Sequence, residues 1–225
     1  MESIDVNLEH AFRCNICDSL DSPYVLRVMS YPDKYEKQFR KVSEDYKRYW
    51  VRCRKCGAGV HMVDEETTRI VSEIGEKYYD LDLGGLAALE EKYHWVMSLP
   101  DEKSDNAGRA RRVASYISHQ LAGEKKHSVS ICDIGSGLGV FPCKMLTVAE
   151  DFGINIDRFL SIETDPLAFE FSSRLPRLDV RNGLFPDVVS GERFSIITLN
   201  KVLEHIRYPE DLLRSFHEYL DAGGF

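Results

Sequence analysis

Apolar residues of this chain follow two different spacings, and each spacing predicts one kind of element. Short apolar runs bounded by glycine, proline or polar residues predict strands at 129–134, 159–163, 178–181 and 194–200. Apolar residues that recur every three or four positions predict helices at 86–97, 106–121, 140–151 and 212–220. Strands and helices that alternate in this way are typical of an α/β domain.

The part of the chain ahead of this α/β domain is organised differently. Residues 70–78 carry apolar positions four apart, which predicts a further helical segment, and two glycines at 84–85 end it. We therefore divide the chain into a small N-terminal domain at 1–62, bridging helices at 63–122 and an α/β core at 123–225.

The composition is that of an ordinary soluble protein of 225 residues with a net charge of -8. This acidic balance argues against a protein coated for nucleic acid, although a local basic patch is compatible with it. No apolar run approaches the ~20 residues that span a bilayer, and the N-terminus lacks the basic and apolar regions of a signal peptide. We therefore expect a cytoplasmic protein with no membrane partner, whose six cysteines are reduced or metal-bound.

Four of the cysteines form two Cys-x-x-Cys pairs in the N-terminal domain. Cys14 and Cys17 make the first pair, and Cys53 and Cys56, followed by Gly57, make the second. Two such pairs can present four thiolates to one ion, which is the closed tetrahedral arrangement of structural zinc. We predict a zinc site formed by these four cysteines. Two unrelated thiol pairs, or a site that has lost its metal, are the alternatives.

The stretch between the two cysteine pairs is rich in aromatic residues and in lysine and arginine. Aromatic side chains interleaved with cations can stack on bases and hold phosphates, so nucleic acid is a candidate partner. A small domain also needs aromatic residues for its core, and its cations usually form a solvated face. We favour the interpretation that these residues form a core and a solvated face. Nucleic acid stays an open but less favoured partner.

The centre of the α/β core is the stretch 129–141, where a short apolar strand runs into Gly135, Gly137 and Gly139. This spacing does not fit the Gly-x-Gly-x-x-Gly pattern of dinucleotide-binding proteins. A helix that begins directly after these glycines would aim free backbone N–H groups and its positive end at a ligand. With Asp133 just ahead, Asp-x-Gly-x-Gly-x-Gly resembles motif I of the class I S-adenosylmethionine-dependent methyltransferases.

This resemblance implies a cofactor site. In the family the motif I acidic residue orients the methionine part of S-adenosylmethionine, and the glycines leave room for it. The acidic residue that ends the second strand accepts the ribose hydroxyls, since a carboxylate offers paired acceptors. The loop after the third strand closes over the adenine, commonly with an acidic residue where this chain has asparagine. The cofactor-binding residues that follow are Asp133, Gly135, Ser136, Gly137, Gly139, Glu163, Thr164, Asp165, Asn182, Gly183 and Asn200.

The segment after the fourth strand resembles the Glu-His turn of many small-molecule methyltransferases. Glu204 and His205 would face the methyl acceptor or line its entrance. A histidine can take the proton from an acceptor hydroxyl near neutral pH, which makes these two residues catalytic candidates. An equally open alternative is that both residues only cap and shape the loop.

The resemblance also implies a Rossmann-like sheet of seven strands in the order 3-2-1-4-5-7-6, of which this chain supplies four. We expect the order 3-2-1-4, with strand 4 as a bare edge that can associate with another copy. We also expect the 225 residues to be part of a longer protein. Two cysteine pairs ahead of such a core are similar to the N-terminal zinc-binding domain of bacterial sugar C-methyltransferases.

The function that the resemblance implies is S-adenosylmethionine-dependent methyl transfer to a small molecule, such as a sugar nucleotide or a polysaccharide intermediate. Two alternatives stay open. One is an RNA methyltransferase whose zinc domain holds the substrate, and steeply salt-dependent binding would favour it. The other is a catalytically inactive, zinc-dependent binding protein, which failure to bind the cofactor would favour.

Overall fold

The computed structural model describes residues 12–32, 46–63, 85–122, 128–206 and 209–225. These residues divide into two compact units. The first contains 12–32 and 46–63, and the second contains the described residues from 85 onward apart from 209–210. The helix predicted at 70–78 lies outside the described residues. No helix in the described ranges is long and apolar enough to cross a membrane.

The first unit is built on a three-stranded antiparallel sheet in the order β1-β2-β3. Its strands are Tyr24–Met29 (β1), Arg48–Arg52 (β2) and Gly59–Val63 (β3). One face of the sheet packs on a small core that includes two of the cysteines, and the buried members of this core are Phe12, Cys14, Val51 and Cys53. The stretch between the cysteine pairs therefore contains strands of its own.

The second unit is an α/β domain with a sheet of four parallel strands. The strands are Ser128–Ile134 (β4), Asn155–Glu163 (β5), Asp179–Asn182 (β6) and Ile196–Leu199 (β7). The helices are Gly85–Ser98 (α1), Asp105–Gln120 (α2), Val140–Asp151 (α3), Pro166–Ser172 (α4) and Pro209–Tyr219 (α5). The strand order is β6-β5-β4-β7, which is 3-2-1-4 within this sheet and confirms the predicted Rossmann-like arrangement.

Helices cover both faces of the parallel sheet. Alternate residues of each strand point to opposite faces, so β4, β5 and β7 each contribute apolar side chains to both faces. On one face, Val129 and Ile131 of β4 pack with buried residues of α2 and α3. On the other face, Cys132 of β4 packs in a cluster with Phe216 of α5. A sheet covered on both faces is mostly apolar, and a polar side chain buried in it needs a hydrogen-bond partner.

Strand β5 is longer than its apolar pattern predicted. Residues 155–157, expected to be a connection, extend the strand, with Asn155 opposite Ser128 of β4. The pairing is irregular between Val129 and Ser130, where a β-bulge shifts the register. The sequence pattern missed this extension because its residues alternate with polar and charged side chains.

The outer side of β7 is partly occupied. The backbone N–H of Phe225 donates to the oxygen of Ser195 (3.1 Å), and its oxygen accepts from the N–H of Ile197 (3.0 Å). Phe194 and Ile196 are buried. The edge of β7 that was expected to be bare is thus paired in part with Phe225, and self-association through this strand stays a prediction.

Candidate functional site

Polar side chains on three neighbouring strands meet at the carboxyl end of the parallel sheet. Asp133 of β4 lies opposite Ser161 of β5 and opposite Thr198 of β7. Glu163 and Asn200 lie two residues further along their segments and therefore share this face, the one that packs against α2 and α3. Open α/β sheets bind their ligands at this end of the strands.

The carboxyl group of Asp133 is fully buried, and only one of its oxygens is satisfied. Its Oδ1 accepts from Thr198 Oγ1 (2.7 Å) and from Asn200 Nδ2 (3.2 Å). Its Oδ2 has no hydrogen-bond partner within the described residues. Burial raises the pKa of Asp133 to about 7, against the opposing effect of the two hydrogen bonds. An acceptor left in this state is costly unless a ligand supplies the donor.

Two serine hydroxyls beside this carboxyl group are in the same condition. Ser136 Oγ, in the glycine turn, and Ser161 Oγ, on β5, are buried without a hydrogen-bond partner. With Asp133 Oδ2, they make up the buried side-chain atoms that lack a partner in the described part of the second unit. All three belong to the glycine turn or to the strand residues next to it.

The three glycines of the turn between β4 and α3 have positive φ angles of 71°, 56° and 75°. A Cβ on Gly135 would lie 2.5 Å from Val202 Cγ2, and a Cβ on Gly139 would lie 2.8 Å from Leu175 Cδ1. A Cβ on Gly137 would meet no atom within 4 Å. Gly135 and Gly139 thus permit close packing within the protein, whereas Gly137 borders open space that a ligand can fill.

Glu163 connects the glycine turn to the end of β5. Its Oε2 accepts from the N–H of Gly137 (2.5 Å), and its Oε1 accepts from the N–H of Asp165 (2.8 Å). Burial raises the pKa of Glu163, and the backbone donors, that of Asp165 foremost, act in the opposite direction. Each oxygen retains a second lone pair, so the carboxylate can accept further hydrogen bonds from a ligand.

Asp165, which the sequence placed beside the adenine, has a structural role as well. It is the N-cap of α4, and its Oδ1 accepts from the N–H of Ala168 (2.6 Å). Thr164, between Glu163 and this cap, is half-buried. The acidic residue after β5 is therefore engaged by its own helix, and a contact with a ligand would be additional to that.

Asn182 lies at the end of β6, and its amide is already oriented. Its Nδ2 donates to the backbone oxygen of Glu163 (2.9 Å), which leaves the carbonyl oxygen of the side chain for a ligand. A Cβ on Gly183 would lie 2.5 Å from Val188 Cγ1, so packing against that valine excludes larger residues at this position.

Glu204 and His205 lie on a 3-10 turn, Leu203–His205, that follows β7. Both side chains are exposed. This location, near the carboxyl end of β7, agrees equally with a contact to a methyl acceptor and with a role in shaping the loop.

The four cysteines of the first unit converge. Their Sγ atoms all lie within 4.8 Å of one another, and the Cys14–Cys56 and Cys17–Cys53 distances are both 3.7 Å. Thiolates ~2.3 Å from a tetrahedral zinc ion are about 3.8 Å apart, so the spacing fits that ion. Gly57, with a φ of 76°, donates its N–H to the oxygen of Cys53 and closes the second turn.

A family model described as a methyltransferase domain matches residues 106–225, which is more than half of the chain. The chain belongs to this family. The match begins within α2 and includes every polar residue that meets at the carboxyl end of the sheet. The first unit, with its four cysteines, precedes the methyltransferase domain.

Several solved structures are similar to this chain. The plantazolicin methyltransferase BpumL in complex with SAH is 17% identical, and the match covers 69% of this chain and 58% of that one, with a TM-score of 0.44. CalS10, an amino pentose methyltransferase from Micromonospora echinaspora, is 17% identical over 55% and 50% of the two chains, with a TM-score of 0.44. The sugar N-methyltransferase KedS8 from Streptoalloteichus sp. is 18% identical over 53% and 46%, with a TM-score of 0.43. The chain thus spans about half the length of these structures. A comparison with curated proteins finds no match.

The sequence analysis missed two polar residues of the methyltransferase domain, Ser161 and Thr198. Both are part of the row that includes Asp133. A signal was present, because Ser161 lies two residues before Glu163 and Thr198 lies two residues before Asn200. Alternation along a strand places each of these pairs on one face.

Proposed function

We propose that the methyltransferase domain binds S-adenosylmethionine at the carboxyl end of its sheet and transfers the methyl group to a small molecule. The observation that carries this proposal is the set of three buried, unpartnered polar atoms, Asp133 Oδ2, Ser136 Oγ and Ser161 Oγ. Buried polar atoms in proteins are nearly always paired, so a ligand with matching polar groups supplies their natural partners. The open space beside Gly137 supports the same location.

The residues present suit the cofactor part by part. Asp133 Oδ2 would accept from its ammonium group, Glu163 would accept the ribose hydroxyls, and the side-chain oxygen of Asn182 would accept from the adenine amino group. The turn residues Gly135, Ser136, Gly137 and Gly139, and the neighbours Thr164, Asp165, Gly183 and Asn200, would complete the cofactor site. When bound, the cofactor supplies an activated methyl group, and the protein contributes orientation.

The chain's own contribution to the reaction is to align an acceptor and to remove one proton. His205 would take that proton as it leaves the acceptor, and Glu204 would lie beside the entrance. Their exposed position on the turn after β7 leaves both side chains accessible to an acceptor.

A substitution separates this role from loop shaping. We expect His205→Ala to lower turnover by roughly 10²- to 10⁴-fold, the usual contribution of a general base, and to leave cofactor affinity nearly unchanged. The measurement is steady-state turnover together with a cofactor dissociation constant for each variant. Turnover equal to that of the unsubstituted enzyme would exclude His205 as the base.

The proposed acceptor is a small molecule, with a sugar nucleotide or a polysaccharide intermediate as the first compounds to test. The resemblance of the Glu204-His205 turn to that of small-molecule methyltransferases supports this class. Label transfer from methyl-labelled S-adenosylmethionine to sugar nucleotides, in the presence and absence of the protein, tests it directly.

A second candidate, an RNA methyltransferase, is favoured by one feature of the first unit. The sheet face opposite its core carries Trp50, 40% exposed, with Arg27 directly opposite it on β1 and Arg52 two residues along β2. Neither arginine has an ion-pair partner within the described residues. Trp50 also contacts the ring of His61 on β3, and an exposed ring beside cations can stack on a base while the cations hold its phosphates. Binding of a single-stranded RNA that weakens steeply with added salt would support this candidate.

We also propose that the four cysteines hold a structural zinc ion. The 3.7 Å spacing of their sulfur atoms supports it, because four thiolates at this spacing complete the tetrahedral coordination of structural zinc.

The proposed cofactor is tested against other nucleotides by thermal unfolding. A ligand that binds only the folded state at 100 times its dissociation constant stabilises it by about 2.7 kcal/mol. We expect S-adenosylmethionine and S-adenosylhomocysteine to raise the unfolding temperature of the second unit, and NAD and ATP to leave it unchanged. A shift produced by NAD, and none by S-adenosylhomocysteine, would contradict the proposal.

A further inference from the structure

The hydroxyl of Thr198 forms a hydrogen bond with the Asp133 carboxyl group. The two residues lie directly opposite each other on the parallel strands β7 and β4, and the hydroxyl donates to Oδ1 at 2.7 Å. Asn200 donates to the same oxygen at 3.2 Å, so among the described residues both donors are on Oδ1 and none is on Oδ2.

Two hydrogen bonds to one oxygen restrict the orientation of the whole Asp133 carboxyl group. A carboxyl group rotates easily about its last torsion, which has a broad, roughly two-fold profile. A threonine on a strand has a restricted χ1, so its hydroxyl is a stiff donor. The short hydrogen bond therefore fixes the plane of the carboxyl group and leaves one defined oxygen for a ligand.

We propose that Thr198 is a positioning residue for the cofactor, which holds Asp133 by Oδ1 so that Oδ2 alone is presented to the ammonium group of S-adenosylmethionine. The inference rests on the proposed function, because it assumes that this cofactor occupies the site. It deepens that function by assigning a role to a residue that does not itself have to touch the cofactor. Holding the acceptor in place before the ligand arrives lowers the cost of binding.

Two ligands separate this role from a general structural one. S-adenosylhomocysteine carries the ammonium group, whereas 5′-methylthioadenosine shares its adenosine but has no amino acid part. Loss of the Thr198 hydroxyl should lower the affinity for S-adenosylhomocysteine and leave the affinity for 5′-methylthioadenosine unchanged. Damage to the fold of the site would weaken both.

The experiment is calorimetric titration of both ligands into the full chain and into Thr198→Val, which has nearly the same shape without the hydroxyl. Thr198→Ala, which leaves the space empty, is a second variant in case the valine prevents folding. Thr198→Ser retains the donor. Thr147→Val is the matched control, since the Thr147 hydroxyl on α3, among the described residues, donates to the backbone oxygen of Cys143 alone.

We expect Thr198→Val to lower the affinity for S-adenosylhomocysteine by roughly 10-fold or more, the loss typical of a hydrogen bond to a charged group. The affinity for 5′-methylthioadenosine should change by less than about twofold. Thr198→Ser should restore most of the affinity, and Thr147→Val should have no effect.

The pH dependence of binding adds a readout that a structural role would not move. The hydrogen bonds from Thr198 and Asn200 lower the pKa of Asp133, while burial and the nearby Glu163 carboxylate raise it. Without the Thr198 hydroxyl, the pH at which S-adenosylhomocysteine binding reaches half its maximum should therefore move upward.

Three outcomes would overturn the proposal. Unchanged affinity for S-adenosylhomocysteine in Thr198→Val would show that the hydroxyl does not position the carboxyl group. Equal weakening of the two ligands would assign Thr198 a structural role. If the unsubstituted chain bound neither ligand, the proposed function would fail first, and the inference with it; this result is distinguishable because it appears without any substitution.

Discussion

At the scale of single residues, the site combines a stable frame with groups left unsatisfied. Gly135 and Gly139 are fixed by packing against neighbouring side chains, and Glu163 is held by two backbone N–H groups. Asp133 is the opposite case, because it is fully buried and its Oδ2 has no donor among the described residues. Such a group lowers the stability of the ligand-free protein and gains a partner when a ligand binds.

The stability cost of Asp133 depends on pH in a definite direction. An unfolded aspartate has a pKa of about 3.9, whereas burial raises the pKa of Asp133 to about 7. Between these two values, a rising pH takes the proton from the unfolded chain and not from the folded one. Stability therefore falls across this window, by at most about 4 kcal/mol, and stays lower above pH 7.

Asp133→Asn removes this cost, because an amide does not ionise. We expect the variant to be more stable than the unsubstituted protein at pH 8, by up to about 4 kcal/mol, and equally stable near pH 4. It should also lose most of its affinity for S-adenosylmethionine. Urea unfolding at the two pH values measures the difference. A variant less stable than the parent at pH 8 would show that the Asp133 carboxylate is not destabilising.

The residue scale also shows what a sequence can and cannot reveal about a site. Asp133 and the three glycines were predicted from their resemblance to motif I of the class I methyltransferases, and the spacing of the glycines by itself predicted a tight turn. Thr198 was missed, since its role depends on which strand lies beside β4, and that neighbour is fixed by the sheet order rather than by local pattern. The cap formed by Asp165 was missed for a simpler reason, because the resemblance had already assigned this residue to the adenine.

At the scale of elements, the carboxyl ends of the strands were predicted to within one residue, whereas the strand beginnings were predicted less accurately and helix α4, Pro166–Ser172, was not predicted at all. Helix α3 has the predicted bounds, Val140–Asp151, because the glycine turn marks its start clearly. Strand β5 begins at Asn155 rather than at 159, since its first residues are polar on one side. The proposed cofactor site lies at the carboxyl ends of the strands, so the error at the start of β5 does not affect the prediction of that site.

Helix α4 offers a test of the element next to the proposed adenosine pocket. Its N-cap is Asp165, whose side chain accepts from Ala168. We expect Asp165→Ala to destabilise the domain by ~1 kcal/mol, the usual loss on removing an N-cap, and Asp165→Ser to lose less. Denaturant unfolding measures both. If Asp165→Ala left the free energy of unfolding unchanged but lowered the affinity for the cofactor, the Asp165 side chain would contact the ligand rather than stabilise the helix.

At the scale of the whole molecule, the two units differ in what stabilises them. The methyltransferase domain has apolar clusters on both faces of its sheet. Among the described residues of the first unit, one small apolar cluster has four buried members, two of which are cysteines of the four-thiolate cluster. Small domains of this kind often depend on a bound metal ion for their folding energy.

Metal removal should therefore unfold the first unit and leave the second folded. The chain has two tryptophans, Trp50 in the first unit and Trp95 on α1 in the second, so Trp95→Phe and Trp50→Phe give one reporter for each unit. We expect a chelator to change the emission of Trp50 strongly and that of Trp95 little, and added zinc to reverse the change. If the chelator left the emission of Trp50 unchanged, the proposal that a bound metal ion stabilises the first unit would be contradicted.

The central claim is that S-adenosylmethionine binds at the glycine turn, and calorimetric titration of the zinc-loaded chain, beside a Gly137→Val variant, tests it most directly. A Cβ at this position meets no protein atom, so the valine side chain would extend into the space assigned to the cofactor, and the positive φ angle adds backbone strain. Gly153→Val, at another open glycine with positive φ, controls for that strain. We predict binding by the parent chain and by Gly153→Val, and loss of binding in Gly137→Val. A parent chain that is folded and does not bind, or a Gly137→Val variant that binds as well as the parent, would contradict the account.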